Sequence, residues 1–217
     1  MKQTEKILPR KTWKEIVIKE NNEPLVLLEE TNRLIFGKNL SSYTDNDYRV
    51  RKTVAEKLYK ASESLSEKYK LVVVEGARSL IRQQEHWNNK IKEFKTLHPE
   101  WSAEKVEYEA RLVVAKPAPL ANHNCGGAVD VALVDANDSL VDMGTFAQSS
   151  ERSMTEMFSQ LITAEQARNR KILREIMEKE GFVWYPGEWW HYCYGDRMWA
   201  VYTSRRECFY GPIESIC

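Results

Sequence analysis

The chain has 217 residues, 32 Lys and Arg against 32 Asp and Glu, and an apolar fraction of 42%. That supports one hydrophobic core, and a single unit over residues 1–217 is expected because no Pro-, Gly- or Ser-rich stretch offers a linker. A formal net charge of zero supplies no summed positive field, so neither nucleic acid nor an anionic membrane is an expected partner.

The opening residues 1–20 carry charges every few positions and no apolar run of signal-peptide length, and charges interrupt each later apolar stretch before it could cross a bilayer. A cytoplasmic protein is the expectation. Cys125, Cys193, Cys208 and Cys217 show no C-x-x-C spacing, which points to free thiols rather than a disulfide framework or a Cys-rich zinc site. Within residues 1–45, the β-prone pieces 16–18, 25–28 and 33–36 alternate with turn-formers such as Asn21, Asn22 and Gly37, and read as edge strands and loops.

From Asp47 onward, Val50, Val54, Leu58, Ala61 and Leu65 recur at helical steps and predict one amphipathic helix. Residues 70–75 place Leu71, Val72, Val73 and Val74 in a row, a short buried strand closed by Gly76, with Arg78 just beyond its end. Leu80, Trp87, Ile91 and Phe94 define a second helix. After Pro99, Val106, Ala110, Val113 and Val114 define a third, with Ser102 as its N-cap. Residues 127–134 alternate as a half-buried strand that carries Asp130 among small residues. A last long helix starts at the capping box Thr163-x-x-Gln166, buries Ile172, Leu173, Ile176 and Met177, and stops at Gly181; aromatic, strand-like sequence follows from Phe182. No repeat appears. The fold class is α+β, with helices packed on one side of a mostly antiparallel sheet.

Two of the four histidines have unusual surroundings, whereas His86 and His98 read as structural. His123 lies in a polar loop, Asn122-His123-Asn124-Cys125-Gly126-Gly127, that feeds the strand bearing Asp130. Seven positions apart on one strand they would face opposite ways, so both reach one ion only if the paired glycines turn the backbone between them. His191 follows Glu188 by three positions, in a segment expected to run from a Pro-Gly loop into a strand. Together His123, Asp130 and His191 offer two imidazoles and a carboxylate. That leaves a fourth tetrahedral position for water, as in a catalytic rather than a structural zinc site. Zinc lowers the pKa of bound water to about 7, Glu188 is placed to take its proton, and Arg78 is the candidate donor to the negative oxygen of a tetrahedral intermediate.

The joint pattern His123-x-x-Gly126-x-Ala128-x-Asp130 with Glu188-x-Trp190-His191 resembles the two signature motifs of zinc D-alanyl-D-alanine dipeptidases of the VanX type. Residues 49–58, the Gly76-Ala77-Arg78 step, the Met143-Gly144-Thr145 turn and residues 190–197 also look like this family's sequence. The resemblance implies an α+β fold shared with D,D-carboxypeptidases and the hedgehog signalling domain, one Zn2+ per chain, and a small dipeptide substrate, D-Ala-D-Ala. It assigns ligand roles to His123, Asp130 and His191, the base to Glu188 and transition-state stabilisation to Arg78. Substrate contacts are expected from Asn122, Gln148 and Trp190. The sequence departs from the family where serines usually precede the first ligand, here Ala121 and Asn122. It departs again after Met-Gly-Thr, where Gln148 stands at about the position of an Asp that pairs with the dipeptide amine, so that amine selection is either weaker or supplied by Asp142 or Glu151. Two rival readings are a D,D- or L,D-carboxypeptidase acting on peptidoglycan stem peptides, disfavoured by the absence of an export signal, and a non-catalytic zinc-bound interaction module, disfavoured by Glu188.

Overall fold

The computed structural model describes residues 3–38, 40, 47–114, 116, 122–146, 149 and 152–213. A short helix α1 (Arg10–Lys14) precedes strands β1 (Val17–Ile18), β2 (Leu25–Leu27), β3 (Leu34–Phe36) and β4 (Arg49–Arg51). Helix α2 (Lys52–Glu63), strand β5 (Tyr69–Glu75) and helices α3 (Leu80–Leu97) and α4 (Ala103–Val113) follow. A 3-10 turn (Asn122–Cys125) enters β6 (Ala128–Asp135). Beyond it come α5 (Arg152–Thr155), α6 (Ala164–Lys179), β7 (Val183–Tyr185), β8 (Glu188–Cys193), α7 (Arg197–Tyr202) and β9 (Glu207–Cys208).

The main sheet has the order β3-β5-β6-β8-β7; only the β3–β5 pair is parallel. The sequence expectation of a mostly antiparallel sheet therefore holds. β1 pairs with β9 and β2 with β4 in two small sheets. Among the described residues, no helix is long and apolar enough to cross a membrane. Cys125, Cys193 and Cys208 are buried and free; Cys217 lies outside the described residues.

Alternation along β6 and β8 sorts side chains to two faces. Val129 and Tyr192 are opposite one another, and they join α2 residues Val54 and Leu58 and α6 residues Leu173 and Met177 in the main core. Ala128 and Cys193 are also opposite one another but face the other way, where they meet Met198, Trp199 and Ala200 of α7 together with Trp13. Asp130 and His191 share that second face. Helices α2 and α6 thus cover one side, and the site lies on the other, beside α7.

Three local expectations change. The spacing from Val50 predicts helix, but Val50 is in β4, opposite Val26 of β2, and α2 begins at Lys52. Val50 is fully buried in the strand, so its place in the apolar period reflects burial alone. β6 is expected to be half-buried, yet its first seven residues are all buried, because β5 and β8 flank it and both faces are covered. The short helix α7 has no apolar period of its own length; its signal is Asp196, whose side chain accepts from Trp199 N at 2.7 Å as an N-cap. The caps expected at Ser102 and Thr163 are present, the latter as a full capping box.

Candidate metal and catalytic site

Cross-strand register assembles one wall of the site. Asp130 of β6 is directly opposite His191 of β8, so the two side chains project from the same face. On the other side of β6, β5 bulges between Val73 and Glu75, which puts Glu75 rather than Val74 opposite Asp130. Without that extra residue Glu75 would point into the apolar layer. Glu75, Asp130 and His191 therefore form a row across three strands.

His123 reaches this row from the 3-10 turn. The chain reverses at Gly126, whose φ of +71° suits glycine, and a Cβ there would lie 2.5 Å from Leu25 Cδ2. At Gly127 a Cβ would lie 2.5 Å from the Tyr194 carbonyl oxygen, so the strand entry also requires glycine. The paired glycines do what the sequence demands of them. His123 Nε2 sits 3.3 Å from Asp130 Oδ1 and 3.2 Å from His191 Nδ1, and His191 Nδ1 is 3.0 Å from Asp130 Oδ1. All three residues are buried, with their ligand atoms within 4.8 Å of one another.

The surroundings select which atoms are offered. His123 Nδ1 is 2.7 Å from the Gly76 carbonyl, an acceptor only, so Nδ1 carries the proton and Nε2 presents its lone pair. His191 presents Nδ1, while its Nε2 lies 3.4 Å from Cys193 Sγ and from the Asn122 amide. Two imidazole nitrogens and one carboxylate oxygen converging on a point are a donor set that fits zinc. Burial pushes the Asp130 carboxyl up, but His123 and His191 outweigh it and hold it well below the usual carboxylate range. For His191 burial acts downward, and the Asp130 hydrogen bond and charge reverse this and raise it. Behind His191, burial raises both the Cys193 thiol and the Asp196 carboxyl.

Arg78 is buried and anchored. Its Nε donates to Glu75 Oε1 at 2.9 Å, its Nη2 closes a second bond to Glu75 Oε2, and its Nη1 donates to Gln83 Oε1 at 2.8 Å. Backbone bonds fix its position too: Arg78 N donates to the His123 carbonyl at 3.0 Å, and Asn124 Nδ2 donates to the Arg78 carbonyl. Burial alone would raise the Glu75 carboxyl; Arg78 outweighs it and lowers the pKa. Glu188 begins β8 rather than ending the loop before it. Tyr185 is opposite Glu188 and Trp184 opposite Tyr192, so β8 carries extra residues against β7. The Glu188 charge acts on His191 and helps to raise its pKa.

The expected substrate residues fare differently. Trp190 is 3% exposed within the main core, so its ring presents no open face to a substrate. The Asn122 amide lies against His191 Nε2, Met198 Sδ at 3.4 Å and Cys193 Sγ at 3.5 Å. Gln148 and Glu151 lie outside the described residues. Asp142 spends both oxygens locally, on Gly144 N at 2.8 Å and Gln166 Nε2 at 2.9 Å. Sequence reasoning passed over Glu75, whose only signal is an acid ending an apolar strand three residues before an arginine. It also passed over Tyr185, whose ring is 6.3 Å from that of His191.

Residues 36–211 match the family model for Peptidase M15, D-ala-D-ala dipeptidase. The chain belongs to this family. A D-alanyl-D-alanine dipeptidase of Enterococcus faecium is 32% identical over 171 residues, covering 74% of this chain and 80% of that protein. Namesakes from Synechocystis sp. and Escherichia coli are 35% identical over 108 residues and 37% over 94. Each alignment covers 42% of this chain and less than half of the relative, 44% and 48%. A solved structure of VanYB in complex with D-alanine-D-alanine shares the fold, at a TM-score of 0.50 and 18% identity, over 88% of this chain and 93% of that one. The Peptidase M15 match contains every residue of the Glu75, His123, Asp130, Glu188 and His191 constellation.

Proposed function

We propose that this chain is a zinc-dependent dipeptidase that hydrolyses D-Ala-D-Ala or a related small dipeptide carrying a D-residue. The observation that carries the reading is the convergence of buried His123, Asp130 and His191, with ligand atoms within 4.8 Å of one another. Family membership and relatives named D-alanyl-D-alanine dipeptidase support the substrate class.

In this reading His123 Nε2, His191 Nδ1 and an Asp130 oxygen hold the ion. The chemistry zinc supplies when bound is Lewis acidity, which makes water nucleophilic near neutral pH. Glu188 takes a proton from the attacking water as the water oxygen bonds to the scissile carbonyl carbon. The same carboxyl returns that proton to the departing amine as the C–N bond breaks. Arg78, held rigid by Glu75 and Gln83, stabilises the negative oxygen; removing one such donor typically costs about 2.7–4 kcal/mol. Asn122 contributes by bracing His191 rather than by touching the substrate.

The test is a panel of D,D-, L,D- and L,L-dipeptides and a stem pentapeptide, assayed with zinc and again after chelation. Turnover of the D,D-dipeptide that is lost on chelation and restored by zinc is the expected result. Chelator-resistant turnover, or equal rates for D,D- and L,L-dipeptides, would overturn the reading. Faster cleavage of the pentapeptide would favour a carboxypeptidase.

A further inference from the structure

Arg170 of α6 is 1% exposed, among the largest fully buried side chains of the protein. Its guanidinium makes four hydrogen bonds, all to backbone carbonyls: Nε to Met143 at 2.8 Å, Nη2 to Met143 at 2.5 Å and Met154 at 2.7 Å, and Nη1 to Glu156 at 2.6 Å. Its Cζ lies over the Trp189 ring, 5.8 Å from the centroid. Burial lowers its pKa to about 10. Among the described residues no carboxylate pairs with it; a buried cation so placed is costly, and an apolar residue would fill the space more cheaply. What the guanidinium provides that an apolar residue cannot is a fork joining the Met143 carbonyl to those of Met154 and Glu156.

Thr145, Thr155 and Met157, close to those carbonyls in the chain, in turn hold the hairpin bearing Glu188. Thr155 Oγ1 donates to the Gly187 carbonyl at 2.9 Å, and Met157 N donates to the Pro186 carbonyl at 2.9 Å. On the other side of Glu188, Trp189 Nε1 donates to Thr145 Oγ1 at 2.9 Å. Both chain neighbours of Glu188 are thus tied to threonines close to the carbonyls Arg170 gathers. The three metal-ligand side chains, by contrast, are set by β6, the 3-10 turn and the β6–β8 register, with no contact to Arg170 among the bonds above.

We propose that Arg170 is a positioning residue for Glu188, acting through residues 143–145 and 154–157, so that loss of the fork displaces the base from the attacking water while the metal ligands stay in place. The proposal rests on the reading of Glu188 as general base. A misplacement of about 1 Å at such a group is worth roughly 100-fold in rate, and loss of an outer support typically costs 10–100-fold.

The experiment uses the zinc-loaded chain with D-Ala-D-Ala and compares Arg170→Lys, Thr155→Val, Thr145→Val and Glu188→Ala singly, and Arg170→Lys with Glu188→Ala combined. Zinc affinity is measured on every variant. Arg170→Lys is expected to lower kcat about 10–100-fold at nearly constant KM and zinc affinity. The threonine variants, which each remove one tie and leave the core intact, should give smaller losses of the same kind and keep the test decisive if Arg170→Lys fails to fold. In the Glu188→Ala background Arg170→Lys should lower the residual rate no further, because both changes remove one function. Unchanged kcat in the Arg170 and threonine variants, or additive losses in the double variant, would overturn the proposal while leaving Glu188 as base. Full activity of Glu188→Ala would instead remove the reading on which it rests.

Discussion

At the scale of single residues, the proposed roles of His123, Asp130, His191 and Glu188 divide into three ligands and one base, and substitution should separate them. Glu188→Ala is expected to retain zinc and lose about 10²–10⁴-fold in turnover, the usual worth of a positioned general base. His191→Ala should lose metal and activity together, because a missing ligand leaves two donors for the ion. Metal analysis alongside kinetics checks both; parent-rate hydrolysis by Glu188→Ala, or unchanged zinc in His191→Ala, would contradict the assignment. Sequence motifs pointed to these four residues because each is a chemical type whose spacing is constrained. Glu75 was invisible because its placement depends on the β-bulge between Val73 and Glu75, and an insertion in strand pairing leaves no mark in the β5 sequence. Trp190 is a substrate contact only by the family resemblance; a tryptophan beside a ligand fits a substrate platform and a core anchor equally well until burial is known, and its burial favours the anchor.

At the scale of elements, the turn between Asn122 and Ala128 decides whether His123 can meet Asp130. Gly126→Ala would force an L-residue to φ +71° and place its Cβ 2.5 Å from Leu25 Cδ2. The 3-10 turn must shift in response, and zinc affinity is expected to fall at least 10-fold; parent-level affinity in that variant would show that the turn does not position the ligand. A second junction lies at Glu23, just before β2. Its carboxylate accepts from Thr53 N at the start of α2 and from the Tyr210 hydroxyl at 2.9 Å. Burial acts to raise its pKa, but these hydrogen bonds outweigh burial and lower it from 4.5. A carboxyl depressed in the folded state contributes its full stability above the unfolded value, and that contribution disappears as pH falls through the folded value. Glu23→Gln should therefore lower the denaturant midpoint at pH 7, with the difference from the parent shrinking below pH 4.5. An offset independent of pH would refute the linkage. Helix and strand periods were readable where an element is long and buried on one face. They misled at Val50, where strand pairing with β2 took a residue that fits a helical face.

At the scale of the whole molecule, the site joins three parts of the chain that meet only through sheet topology: the turn before β6, β6 itself and β8. The α+β class and the antiparallel core of the sheet were legible because hydrophobic periods change along the chain. The order β3-β5-β6-β8-β7 was not, since strand neighbours depend on non-local pairing that no local pattern encodes. The site sits on the face opposite α2 and α6, so its own buried polar groups are kept apart from the apolar core that those helices cover. The most direct test of the central claim is anomalous diffraction at the zinc edge from crystals of the zinc-loaded protein. One peak about 2.0–2.2 Å from His123 Nε2, His191 Nδ1 and an Asp130 oxygen is the expected result. A peak elsewhere, or none in protein that hydrolyses D-Ala-D-Ala, would contradict it.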